Sequence, residues 1–433
     1  MRASKQLCRV QHTSMHGFRS LLERILPRRV YRALLAPYHY LLNFAAAEHN
    51  RFPARELVVI GVTGTKGKSS VTEMVAAILE EAGYMTAISS TIHFKIGREV
   101  KPNLFKMTLP GRGFIHTFLR EAVGKGASHA VVELTSEAAL QYRHSFLSLN
   151  ALVFTNLEKE HLESHGSMEN YLKAKLRLGW ALVRSEKRPR AIIANADSAY
   201  AKPFLALPVE EQIPYSLSDA KELRLTVAGI EFVYKGERIL VPHPGEFSAR
   251  NALAAIKTAE FLGISVRTSA NALQKLMVIP GRAEKIEEGQ DFLAVVDYAH
   301  TPDSLAALYA AYPQNRKICV LGNTGGGRDT WKRPEMGRIA DELCETVFLT
   351  DEDPYDEDPE EIVQAMAHGM KRPPTIIMNR REAIHEALAM ARPGDAVLIT
   401  GKGTDPYIMR ASGAKEVWSD AQVVREELQK LKT

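Results

Sequence analysis

Cysteine is scarce in this chain. It holds three, Cys8, Cys319 and Cys344, odd in number, far apart and without a Cys-x-x-Cys pair. That pattern argues against a disulfide framework or a cysteine-ligated zinc and points to a reducing, cytoplasmic setting. No apolar run approaches the roughly 18 residues of a membrane-spanning helix, and no signal peptide is expected. Nor does one sign of charge dominate, since 56 Lys and Arg stand against 51 Asp and Glu. This excludes a uniformly basic nucleic-acid binder. The net +5 is nevertheless uneven: residues 1–55 carry ten Lys or Arg against two acids, which leaves −3 for the remaining 378.

That basic segment has a pattern. Phe18, Leu21, Leu22, Ile25 and Leu26 fall on one helical stripe, and Tyr31, Leu34, Leu35, Tyr38, Leu41 and Leu42 on another. Arg19, Arg24, Arg28, Arg29 and Arg32 lie between them, and Pro27 and Pro37 are expected to break the run into short helices. Three readings remain open: a helical hairpin packed on the next domain, a basic amphipathic element (residues 15–45) resting on an anionic membrane surface, or a targeting peptide.

With 433 residues the chain exceeds one ordinary core, so two or three domains are expected. From Glu56 onward strand and helix alternate: LVVIGVTG, SHAVVELTS, NALVFTN and RAIIANAD are short β-branched runs with helical stretches between them. Such alternation implies a mostly parallel sheet covered on both faces. Residues 223–242 read as an antiparallel meander, and a helix begins near Ser248. A second α/β unit starts near Pro280, with strands FLAVVDYA, KICVLGN, TVFLTDED, TIIMN and AVLITGKG. The expected architecture is α/β: a helical segment at 1–55, a central nucleotide-binding domain at 56–278, and a doubly wound, Rossmann-like domain at 279–433.

The clearest chemical signal is IGVTGTKGKSS at 60–70. The usual phosphate loop needs a glycine where this chain has Val62, but the core Gly64-Thr65-Lys66-Gly67-Lys68-Ser69-Ser70 keeps every physical part. Glycines let backbone N–H groups face phosphate oxygens, and the following helix adds its positive end. Lys68 suits the terminal phosphates and Ser69 a magnesium ion. The ligands expected are therefore ATP and Mg2+.

This loop resembles that of the Mur ligases and their folylpolyglutamate synthetase relatives. Further matches follow in chain order: VELTSEAALQYR (132–143), TNLEKEHLESHG (155–166), YLKAK (171–175), GEFSARNALAA (245–255), PGRAEK (280–285), VVDYAHTPDSL (295–305), GNTGGGRDTWKRPEMG (322–337) and GKGTDPY (401–407). DYAHTP and the Gly-rich loop leading to KRP and MG are most similar to the type that adds the third residue of the peptidoglycan peptide. The resemblance implies ATP-dependent amide formation: a carboxylate attacks the γ-phosphate to give an acyl phosphate and ADP, and an amine then displaces phosphate. It also allows a folylpolyglutamate-synthetase-like ligase, a lipid-linked or other non-uridine acceptor, or a carboxylate-activating subunit of a glutaminase.

Site residues are implied in the same way. Glu133 binds magnesium with Ser69, and His161 helps to hold a second magnesium. Lys175 matches a lysine that the family carbamoylates, with Lys173 as a neighbouring rival. Asn251 is assigned to adenine, Arg282 to the phosphates and Asp297 to the ribose. Thr108, Thr135, Gln141 and Arg143 match contacts to the nucleotide-sugar peptide. Arg328, Glu352, Asp353, Gly401 and Asp405 line the loops for the incoming amino acid. Diaminopimelate-adding members carry Asp-Asn-Pro-Arg where this chain has Glu352-Asp353-Pro354-Tyr355. Losing the guanidinium removes a carboxylate partner, and the acids Glu352, Asp353, Asp356 and Asp358 favour an ammonium. A lysine-like amine is thus expected over diaminopimelate. Full-length relatives also carry an N-terminal domain that grips uridine, where this chain has the basic segment.

Overall fold

The computed structural model describes residues 28–432 apart from Arg112 and His161. The first sheet has eight strands: β1 (Val58–Thr63), β2 (Thr86–Ser89), β3 (His93–Ile96), β4 (Glu99–Pro102), β5 (His129–Glu133), β6 (Ala151–Phe154), β7 (Ala191–Asn195) and β8 (Glu211–Tyr215). Their spatial order is β4-β3-β2-β5-β1-β6-β7-β8. β1 lies centrally, parallel to β5 and β6, with Val62 in register with both Glu133 and Val153. The carboxyl ends of β1, β5 and β6 therefore share one edge, which is where open α/β sheets bind ligands. Only the pairings of β3 with β2 and with β4 are antiparallel, so β3 alone runs against the other strands.

Central strands buried on both faces explain the near-continuous apolar runs. Ile60, Val62, Val131 and Val153 belong to one core layer, and Val59, Ala130, Val132 and Leu152 to the other. Each such valine or isoleucine contributes about 1.5–3 kcal/mol of burial. The expected meander forms a three-stranded antiparallel sheet, β9 (Lys221–Thr226), β10 (Gly229–Tyr234) and β11 (Glu237–Val241).

The second large sheet has six strands: β12 (Glu284–Ile286), β13 (Leu293–Asp297), β14 (Lys317–Leu321), β15 (Thr346–Leu349), β16 (Thr375–Ile376) and β17 (Ala396–Thr400). Its order is β12-β13-β17-β14-β15-β16, parallel except for β12, with core layers on both faces. This is the doubly wound arrangement expected from the alternation.

Two expectations fail here. The helix Arg28–His49 runs 22 residues straight through Pro37 and is not broken there. Its C-terminal half packs on the first unit. Asn43, Ala47 and Asn50 are buried, and Arg120 Nε donates to the Asn50 carbonyl at 2.8 Å. The opposite face leaves Tyr38, Tyr40, Leu41 and Phe44 exposed. The stripe expected at 18–26 lies outside the described residues. Second, the thiols are not all free: Cys319 on β14 and Cys344, just after the helix Lys332–Leu343, form a disulfide with Cα atoms 6.2 Å apart. Twenty-five residues of sequence hid a contact that the crossover from β14 to β15 creates. Among the described residues, no helix is long and apolar enough to cross a membrane.

Candidate active site

A cavity of about 730 Å³ opens between the two large sheets. The loop after β1 forms its floor and turns directly into the helix Lys68–Glu81. Gly67 sits at φ +79°, and a Cβ there would stand 2.5 Å from Asn251 Oδ1, so only glycine fits. Lys68 Nζ, half-buried, donates to the carbonyls of Gly64 and Thr65 at 3.1 and 2.9 Å. Burial lowers its pKa, which Glu133 and Glu160 partly offset. An ammonium parked on carbonyls in this way can be drawn onto a phosphate.

Glu133 ends β5 and is wholly buried. Its Oε2 accepts from the Thr91 amide at 2.7 Å and the Thr91 hydroxyl at 2.5 Å, while Oε1 has no partner. An unpartnered buried carboxylate oxygen is costly without a cation to face it. Among the described residues, no cluster of three acids, histidines or cysteines exists that would cage a metal alone. One carboxylate, one hydroxyl and phosphate oxygens suit magnesium.

Lys175 is the member of its pair that faces inward. It is 1% exposed, donates to the Gly64 carbonyl at 2.8 Å and stands 4.8 Å from the Tyr171 ring centroid. Burial, then the neighbouring Lys68, pushes its pKa well below that of a free lysine. Lys173 instead points to solvent and pairs with Glu169 at 2.6 Å.

The second sheet supplies the opposite wall. Arg282 Nη2 donates to Ser69 Oγ at 3.1 Å, and its guanidinium lies 4.6 Å over the Tyr298 ring. Asp297, at the end of β13, accepts the amides of Ala283 and Ala299 at 2.6 and 2.7 Å, and burial raises its pKa. Glu160 bridges the units: Oε2 accepts from Lys66 Nζ at 3.1 Å and Oε1 contacts His300 Nε2 at 2.8 Å.

Of the remaining expected residues, Thr108, Thr135, Arg143, Arg328, Glu352, Asp353, Gly401 and Asp405 line the same cavity. Gln141 does not; it accepts from Arg143 Nη2 at 2.5 Å and so holds that guanidinium. Glu133 lies behind Thr91, which does line the cavity. His161 lies outside the described residues. Lys106 and Tyr355 were missed as site residues because their meeting crosses the interface between the units.

The argument for a lysine-like amine fails on this geometry. Three of the four acids expected to attract an ammonium are engaged: Asp353 accepts from Lys106, Lys402 and the Met409 amide, Asp356 from the Ser412 amide, and Asp358 from the Glu360 amide, while Glu352 Oε1 accepts from the Thr324 hydroxyl and its Oε2 has no partner. Asp353 and Glu352 are each 2% exposed, so the loop is also not a solvated surface.

Comparison with known proteins fits this layout. Residues 62–259 match the Mur ligase middle domain, and residues 281–403 match the Mur ligase, glutamate ligase domain. The chain belongs to the Mur ligase family. A relative from Caldanaerobacter subterraneus subsp. tengcongensis, named UDP-N-acetylmuramoyl-L-alanyl-D-glutamate--2,6-diaminopimelate ligase, is 36% identical over 86% of this chain and 78% of its own length. A relative of the same name from Aquifex aeolicus is 34% identical over 94% of this chain and 84% of its own. A UDP-N-acetylmuramyl-tripeptide synthetase from Roseiflexus sp. is 34% identical over 92% and 82%. A solved diaminopimelate ligase of that type superposes with a TM-score of 0.59 at 29% identity, covering 87% of this chain and 79% of that one. Mycobacterium tuberculosis folylpolyglutamate synthase with ADP reaches 0.70 at 18% identity over 90% and 96%, a likeness of fold. As a Mur ligase the chain is an ATP-dependent ligase that forms peptide bonds.

Proposed function

We propose that this ligase joins diaminopimelate to a UDP-linked muramoyl dipeptide, extending a peptidoglycan precursor by its third residue. The relatives' names supply both substrates. The observation that carries the reading is convergence: a phosphate loop, an acceptor wall (Thr108, Thr135, Arg143) and an amine wall (Arg328, Glu352, Asp353, Asp405) line one cavity.

In this reading the acceptor carboxylate attacks the γ-phosphate of ATP, and the amine then attacks the acyl phosphate. Lys68 and Arg282 stabilise the charge accumulating on the phosphoryl oxygens, and their dry surroundings strengthen that effect. Ser69 and Glu133 would hold magnesium, which would neutralise the phosphate oxygens. Lys175, whose lowered pKa favours the neutral amine that reacts with carbon dioxide, would as a carbamate support a second magnesium together with His161. Asn251 meets adenine, Asp297 the ribose, and Gln141 fixes Arg143 on the acceptor. The units divide at 56–278 and 279–433, the enzyme is cytoplasmic, and the basic residues 15–45 help to present the anionic acceptor.

ADP release with ATP, magnesium, UDP-muramoyl dipeptide and each amino acid in turn tests the reading. Release that requires both acceptor and diaminopimelate, with a tripeptide product by mass, is expected. Turnover with ATP alone, or none with any pairing, would overturn it.

A further inference from the structure

Lys106 comes from the first unit, on the loop between β4 and the helix Phe114–Gly124, yet its ammonium lies in the amine wall of the second. Its Nζ stands 2.5 Å from Asp353 Oδ2 and 3.4 Å from Asp405 Oδ2. The Tyr355 ring centroid is 5.5 Å away. Lys106 and Tyr355 face each other across the interface, and both hold left-handed backbone, at φ +52° and +54°. Such conformations cost energy in non-glycine residues and persist where surrounding structure enforces them.

Asp353 does not need Lys106. Its Oδ1 accepts from Lys402 Nζ at 2.9 Å and from the Met409 amide at 2.7 Å, and Lys402 is itself fully buried. Lys402 also lies 3.4 Å from Asp405. Two lysines and two aspartates thus cancel within one cluster, at its rim a cation that can turn outward. Burial raises the pKa of the adjacent Glu352, which lessens the negative charge it adds.

An amino acid whose far end is an ammonium alone would bring an uncompensated positive charge into this balanced group. A far end carrying both ammonium and carboxylate brings none. It can exchange into the Lys106–Asp405 pair, carboxylate onto Lys106 and ammonium onto Asp405, leaving Asp353 on Lys402. Buried charge is tolerated where every member stays paired.

We propose that Lys106 is a specificity-determining residue of the amine site, binding the distal carboxylate of a diamino dicarboxylic acid and so selecting it over lysine. The proposal rests on the ligase reading above. It also makes amine recognition depend on the first unit as well as the second.

The test is steady-state kinetics of the full chain with meso-diaminopimelate and with L-lysine, for wild type, Lys106→Met and Lys106→Arg. Lys106→Met is expected to raise the KM for diaminopimelate about 10–100-fold, the scale of one charge-assisted hydrogen bond. The KM for lysine and for the acceptor should stay within about twofold of wild type, and Lys106→Arg should restore most of the loss. Equal loss for both amino acids would make Lys106 a pin between the units, and a change confined to the acceptor KM would assign it to the acceptor. Either result, or no change, overturns the proposal while leaving the ligase reading intact. A wild-type enzyme inactive with every amino acid overturns both.

Discussion

Two glycine-rich loops follow central parallel strands in this molecule, one after β1 and one after β14, and they use glycine for different reasons. In the first, Gly64 to Gly67 let the backbone line the cavity with Lys68 folded onto the loop's own carbonyls, and the helix starts at once. In the second, Gly325 and Gly326 make room for a neighbouring loop: a Cβ at Gly326 would stand 2.9 Å from the Tyr355 ring, and one at Gly325 would meet Pro354. The first loop is a cradle and the second a seat. The same composition therefore marks a ligand in one place and a packing contact in the other.

Substitution can break that contrast. The largest effect is expected for Lys68→Met, with kcat falling by at least about 10³-fold, roughly 4 kcal/mol, because in the proposed reading Lys68 is the loop cation that meets the terminal phosphates. Circular dichroism should show an unchanged fold. Glu133→Gln should cost about 10²–10³-fold and raise the magnesium concentration for half-maximal rate, since the unpartnered oxygen loses its charge. A magnesium titration unchanged from wild type would remove Glu133 from the metal site.

Gly326→Ala tests the seat. It forces a side chain into left-handed backbone and into Tyr355, so the KM for the amino acid should rise about tenfold while that for ATP stays put. Gly327→Ala is the control, with similar φ (+72°) but nothing within 4 Å. It should cost only the backbone term, about 1 kcal/mol of stability. A rise in the ATP KM for Gly326→Ala would erase the distinction between the loops.

The smallest effect lies away from both loops. His116 is buried with both ring nitrogens unpartnered, and burial drops its pKa to about 4. The unfolded state then binds the extra proton between about pH 6.5 and 4. Stability is full above that window and falls as pH drops through it. Denaturant unfolding at pH 5 against pH 7.5 should show a loss to which His144 and His243, buried in the same way, also contribute, and His116→Leu should reduce that loss by about 2 kcal/mol.

Legibility follows the same division. The first loop with its strand and helix, and each of the flanking strands ending in Glu133 and Phe154, is a single unbroken run of sequence, so local pattern identifies them. The edge strands β3 and β4 were not read. HFKI and EVKP are short, and β4 is exposed throughout. The Cys319–Cys344 bond and the meeting of Lys106 with Asp353 depend on crossovers that no local periodicity encodes. Pro37 misled because the helix Arg28–His49 continues through a residue that ordinarily breaks one. The acids at 352–353 misled because composition reports charge without reporting which cations fold onto it.

Arg282 reaches from the second unit to the hydroxyl of Ser69 in the first. In the proposed reading neither half of the molecule owns the triphosphate subsite, because each contributes groups that the other lacks, and affinity for the nucleotide would then report how well the two halves meet.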